Sequence, residues 1–175
     1  MSEQTLVRPD MLAIVNRPYG RQVSYPITAS DIRRWALAVH YPQAPPVHFL
    51  DPRASEEGTL VAPQEFNPFA WGAARTEAAG EELPLDPDRK NVGAMEHLLG
   101  VVPPDLRRAL NGGVSATYTG VPMRPGDVIT AESVIAGYTA KRGRLGPMLL
   151  TETATTWTNQ RGDVVKVHRM TLIRY

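Results

Sequence analysis

Cysteine is absent from all 175 residues, which excludes a disulfide framework, a thiolate metal site and a cysteine nucleophile. A chain without cysteine suits a cytoplasmic setting. A dominant charge is also lacking: 19 Lys and Arg against 18 Asp and Glu leave a net charge of +1. Nucleic-acid binding relies on a clustered positive surface that displaces counterions, so no nucleic-acid partner is expected. No apolar run approaches the roughly 18–20 residues of a membrane-spanning helix, and no membrane partner is expected either. The N-terminal stretch MSEQTLVRPD has no apolar core of the kind a secretory signal carries. A nucleophile elbow, Gly-x-Ser-x-Gly, and a glycine-rich phosphate loop are both missing. No two of the four histidines have the spacing of a zinc motif, so neither a metal nor a cofactor is expected.

The amounts that are present fit a globular chain. Apolar residues make up 42% and charged residues 21%, enough apolar surface to offset the entropy of ordering. The length suits one domain over residues 1–175. Proline is abundant, at 16, but none lies between Met148 and Tyr175. Because proline blocks helix interiors and central strands, the chain divides into an irregular first part and a regular second part.

In the regular part, residues 128–136 (VITAESVIA), 147–159 (PMLLTETATTWTN) and 163–175 (DVVKVHRMTLIRY) alternate and are rich in β-branched residues, the pattern of strands. Residues 113–121 (GVSATYTGV) read as a further strand, which makes four antiparallel strands in succession. Residues 137–146 contain a turn with three positive charges, and 159–162 form another. In the irregular part, residues 28–31 (TASD) offer an N-cap for a helix over 32–40, with Ile32, Trp35, Ala36 and Val39 on one stripe. Pro42 stops it. A second short helix is expected over 103–110, ended by Asn111-Gly112-Gly113. An early strand is expected near 11–15 or 20–26, and 72–93 reads as a polar surface excursion.

The order of these pieces resembles a known family. Ile27-Thr28-x-x-Asp31-Ile32 leads the helix, His48-x-x-Asp51 closes the proline-rich stretch, and Asn111-Gly112-Gly113 precedes Met123-Arg124-Pro125-Gly126-Asp127. Arg144-x-Gly146-Pro147-Met148, Glu152 and Thr158-Asn159-Gln160 follow. Over residues 18–175 this is similar to the MaoC-like hydratase/dehydratase family, in particular its N-terminal-type domain. The resemblance implies an α+β hot dog fold, an antiparallel sheet wrapped on a helix. It implies (R)-specific hydration of an enoyl thioester or dehydration of a 3-hydroxyacyl thioester, a hydro-lyase chemistry of fatty acid, polyketide or steroid metabolism. The implied partners are an acyl-CoA or acyl-carrier-protein thioester and a second MaoC-like hot dog subunit, or a second copy in a homodimer.

The family's active stretch has the pattern Gly-Asp-x-Asn-Pro-x-His-x-Asp. Here Pro46 and His48 match it, while Pro42 stands at the Gly position, Gln43 at the Asp position and Pro45 at the Asn position. Gln cannot exchange a proton near neutral pH. The catalytic positions are thus His48 and Gln43, and the chain reads as the degenerate half of a hydratase that shapes the acyl pocket. The alternative is a non-catalytic hot dog module that binds an acyl group or scaffolds a partner.

Other positions keep two readings. Phe66, Phe69 and Trp71 are either core or the wall of an acyl pocket. Asn111, Gly112 and Gly113 either end a helix or contribute to substrate binding. Lys141, Arg142 and Arg144 are either a solvated turn or an anchor for a carrier phosphate. His40 reads as a helix C-terminal residue, His97 as surface or packing, and His168 as an outward-facing residue of its strand.

Overall fold

The computed structural model describes residues 6–70, 74–77, 92–144 and 146–175. The elements run α1 (Pro9–Leu12), β1 (Pro18–Ser24), α2 (Ala29–His40), α3 (Val47–Leu50), α4 (Pro52–Glu56), β2 (Ala74–Glu77), α5 (Ala94–Leu98), β3 (Ala109–Tyr118), β4 (Ile129–Gly143), β5 (Gly146–Asn159) and β6 (Val164–Arg174). The strands form one antiparallel sheet in the order β2-β1-β4-β5-β6-β3.

Helix α2 begins where its cap predicts. The Thr28 hydroxyl accepts from the Asp31 backbone N–H at 3.1 Å, and the Asp31 carboxylate accepts from the Thr28 N–H at 2.9 Å. This reciprocal box satisfies two N–H groups that a helix start otherwise leaves unpaired. Ile32 and Ala36, one turn apart, are buried against the sheet.

Alternation along the long strands sets the core. Ile129, Ala131, Ser133 and Ile135 of β4 share one face, since strand side chains alternate with period two. Ile129 and Ala131 join Trp157, Val165, Ile32, Ala36 and Phe66 in a core beneath α2. Ile135 instead joins Leu149, Met11, Ile14 and Val101 in a second core. Ser133 lies between the two. The opposite face carries exposed polar residues such as Glu152 and Arg169, whose side chains meet at 3.2 Å. An antiparallel sheet curled on one helix, with its other face polar, is the α+β hot dog arrangement.

The four long strands expected from the sequence are all present, with two differences. Strand β4 continues through the basic stretch to Gly143 and pairs with Gly146, so the turn is much tighter than 137–146. Strand β3 does not neighbour β4; it crosses to the far edge and pairs with β6. The helix expected over 103–110 is absent: residues 101–108 are irregular and β3 starts at Ala109. Leu106 packs against the second core without forming a helix, and residues 109–118 find a full ladder on β6. Asn111 and Gly113 flank a bulge within that ladder rather than a helix stop. The early strand lies at 18–24, and Met11 falls in α1. Of the polar excursion, 74–77 form β2 at the edge of β1, and most of the remainder lies outside the described residues.

Candidate functional site

Strand register builds the floor of a cavity of about 790 Å³. Gln22 pairs with Ala131, Ala131 with Trp157, Trp157 with Lys166, and Lys166 with Tyr118. Two residues further along, Gly20 pairs with Ser133, Ser133 with Thr155, and Thr155 with His168. These two rows cross the sheet from β1 to β6, and Gln22, Ala131, Trp157, Lys166, Gly20, Ser133, Thr155 and His168 all line the cavity. Trp35 of α2, Phe69 and Leu98 supply apolar walls, and Tyr19 completes the end towards the second core. The cavity therefore occupies the seam between the two cores, roofed on one side by the central helix.

The first row is aromatic and cationic. Trp157 meets the Phe69 ring edge-on with centroids 5.1 Å apart, and the Lys166 ammonium stands 3.8 Å from the Trp157 centroid. The same ammonium is 5.6 Å from the Tyr118 ring. Lys166 exposes only 6% of its surface. Burial lowers its pKa, and the Glu65 carboxylate opposes that shift. Tyr118 donates a hydrogen bond to Glu65 Oε1; burial first, then that bond, pushes the phenol up to about 12. The second row is a chain of small polar groups: the Ser133 and Thr155 hydroxyls share a hydrogen bond of 2.8 Å, with His168 next in line. Burial also raises the Tyr19 phenol.

The residues singled out in the sequence scatter around this cavity. Phe69 lines it. Phe66 is buried in the core beside it, edge-on to Trp35 with centroids 5.7 Å apart. Trp71 lies outside the described residues. His48 and Gln43 are both exposed, His48 in the short helix α3 against the Phe49 ring and Gln43 in the turn after α2; neither borders the cavity. Asn111, Gly112 and Gly113 sit on the exposed edge strand β3, with the Asn111 side chain accepting from the Gly113 N–H at 2.9 Å. Lys141, Arg142 and Arg144 are exposed at the β4–β5 turn. Eight residues of strand separate Ser133 from Lys141, roughly 27 Å at the usual rise.

His168 is a correction to the sequence reading. It faces the cavity, not solvent, because it stands two residues from Lys166 on the same side of β6. Lys166, Ser133, Thr155 and Trp157 were not legible as site residues. Their one signal was parity: each falls on the buried phase of an alternating strand and three of them are polar. Among the described residues no three His, Asp or Glu side chains come together as metal ligands, and no described helix is long and apolar enough to cross a membrane.

The hot dog sheet holds a cavity of ligand size against its central helix. The model of the family described as "FAS1-like, dehydratase domain region" matches residues 13–168. The chain belongs to that family, and with it to the hydro-lyases and their components. No curated protein sequence matches. Among solved structures, the ChsH1-ChsH2 complex from Mycobacterium tuberculosis is similar at 15% identity and a TM-score of 0.60, covering 99% of this chain and 90% of that one. A MaoC-like dehydratase is similar at 19% identity and a TM-score of 0.54, covering 93% of this chain and 42% of the other. A MaoC-like dehydratase from Rhodospirillum rubrum has 18% identity and a TM-score of 0.49, with 97% of each chain covered.

Proposed function

We propose that this chain is a subunit of an (R)-specific enoyl-thioester hydratase or 3-hydroxyacyl-thioester dehydratase, and that it is the half that shapes the acyl pocket. The observation carrying this reading is the separation of pocket and dyad: the cavity lies on the sheet floor, whereas Gln43 and His48 are exposed and do not line it. In hydration, the water oxygen bonds to the β-carbon while a proton goes to the α-carbon. That step needs a general acid and base, a contribution of about 10²- to 10⁴-fold, and Gln43 cannot supply it. The acid–base groups then come from a second MaoC-like hot dog subunit or a second copy of this chain. The occurrence of one fold relative as a two-component complex suits this arrangement.

The exposed ten-residue strand β3 is the edge through which such a partner joins, extending the sheet. The thioester is carried by coenzyme A or a carrier protein, with Lys141, Arg142 and Arg144 meeting its phosphate and Asn111, Gly112 and Gly113 lying at the joined edge. A second reading, an acyl-binding module without chemistry, is favoured by Gln43 and Pro45.

The test assays hydration of a short enoyl-CoA by the purified chain, alone and with a dyad-bearing partner. The expected result is little or no activity alone, activity in the assembly, and only a modest change on His48→Ala. Robust hydration by the chain alone, abolished by His48→Ala, overturns the pocket-half reading. Binding without hydration in every assembly favours the module.

A further inference from the structure

Lys166 is hard to explain as packing. Its residue is more than nine-tenths buried on the floor of an apolar-walled cavity, and its ammonium makes no ion pair or hydrogen bond among the described residues. Its close contacts are aromatic faces, Trp157 at 3.8 Å and Tyr118 at 5.6 Å. Contact with two ring faces offsets only part of what an ammonium loses on partial withdrawal from water. Glu65 offsets part of that cost from beyond ion-pair range, and its own Oε1 is taken by the Tyr118 hydroxyl. A methionine or leucine would fill the space without the penalty, so the charge serves something that enters the cavity.

The neighbouring row indicates what enters. His168 lies two residues from Lys166 on the same face of β6, and Thr155 pairs with His168 across the ladder. A cation beside an imidazole and a hydroxyl, all on one patch of floor, matches a planar anion with two acceptor oxygens. Trp35, Phe69 and Leu98 give the cavity apolar wall that suits methylene groups, and Arg21, Glu65 and Asn67 also border it. We propose that the cavity selects acyl groups that end in a carboxylate, with Lys166 as the residue that recognises it. The substrate class is then the thioester of a dicarboxylic acid. This rests on the acyl-pocket reading above and narrows it.

The experiment compares two thioesters of equal carbon length on the purified full-length chain, succinyl-CoA and butyryl-CoA, with free succinate as a third ligand. Binding is read by calorimetry and by quenching of tryptophan fluorescence. The expected result is succinyl-CoA bound at least about tenfold more tightly than butyryl-CoA, as one charge-assisted contact supplies. Lys166→Met removes that preference, bringing the two affinities together, whereas Lys166→Arg retains most of it. Lys166→Gln, which keeps a polar chain of similar length, loses it as Met does and serves should the Met variant not fold. Equal binding of the two thioesters by the native chain overturns the carboxylate inference and leaves the acyl pocket standing. Succinate bound through Lys166 with neither thioester bound overturns the thioester class and with it the acyl reading. No binding of any of the three overturns both.

Discussion

Arg174 and Glu96 form an ion pair with neither side chain exposed: Nη2 of Arg174 donates to Oε1 of Glu96 at 2.5 Å. The same nitrogen donates to the Thr151 hydroxyl at 2.8 Å, and the Tyr138 hydroxyl donates to the same Glu96 oxygen at 3.1 Å. The pair fastens α5 to β4, β5 and β6 through Tyr138, Thr151 and Arg174. Leu98, on the same short helix as Glu96, is a wall of the cavity. A buried pair adds little over well-packed apolar residues, but removing one member strands the other charge. Burial and the adjacent Glu96 carboxylate accordingly raise the Tyr138 pKa.

Arg174→Leu and Glu96→Leu are each expected to lower unfolding free energy by about 3–5 kcal/mol. The double variant should lose less than the sum of the two, because no charge is then left alone. Urea denaturation of the four proteins measures this. Additive losses would show that the two side chains act independently.

Lys166 and Tyr118 predict opposite pH dependences. The lowered Lys166 pKa means that the folded chain holds that proton less tightly than the unfolded chain. Stability from this group is present above the unfolded value, about 10.5, and is lost as pH falls through the lowered folded value. Lys166→Met should therefore raise the urea midpoint at pH 7, with a gain that shrinks towards pH 10.5. The raised Tyr118 pKa acts the other way: its contribution is present below about 10 and disappears as pH rises to about 12. Tyr118→Phe should not show that alkaline loss. A Lys166→Met gain that is flat across pH refutes the cost assigned to the ammonium.

Strand β3 is exposed along its length at the sheet edge, and Val114 in its middle is 56% exposed. A long edge with an exposed apolar residue invites pairing. The full chain is expected to sediment as a dimer or larger species, or as a complex with its partner subunit, and Val114→Lys should shift it towards monomer. A monomer at high protein concentration, with or without a hot dog partner, contradicts this.

The basic turn is expected to act on the carrier end of the ligand. Replacing Lys141, Arg142 and Arg144 together by alanine should weaken acyl-CoA binding and flatten its dependence on salt, since exposed charges act through a screened field. Free acids, which lack the carrier, should bind unchanged. Equal thioester affinity in the triple variant would return these residues to a solvated turn.

Much of the fold was legible because its determinants are local. The capping box at Thr28 and Asp31 lies within four residues, and the alternation in residues 147–159 and 163–175 needs no distant partner to be read. Local signals misled where tertiary context won. Residues 103–110 carry Pro-Pro followed by Asp-Leu-Arg-Arg, a fair helix start, yet Ala109 and Leu110 belong to β3, because β6 offers them a ladder. His168 looked like an ordinary polar residue of a strand for the same reason: parity is visible in one strand, but which parity faces the helix is not.

The sequence by itself determined most of the elements, their periodicity and the absence of thiol chemistry. Only the tertiary structure decided that Trp157, Lys166 and Tyr118 form one row and Ser133, Thr155 and His168 the next. It also decided that the gap between two cores falls above them, away from His48. The physical reason is register. A strand's own residues fix what it can present, but a neighbouring strand's offset fixes what stands beside it, and a slip of one residue would turn every one of these side chains to the opposite face.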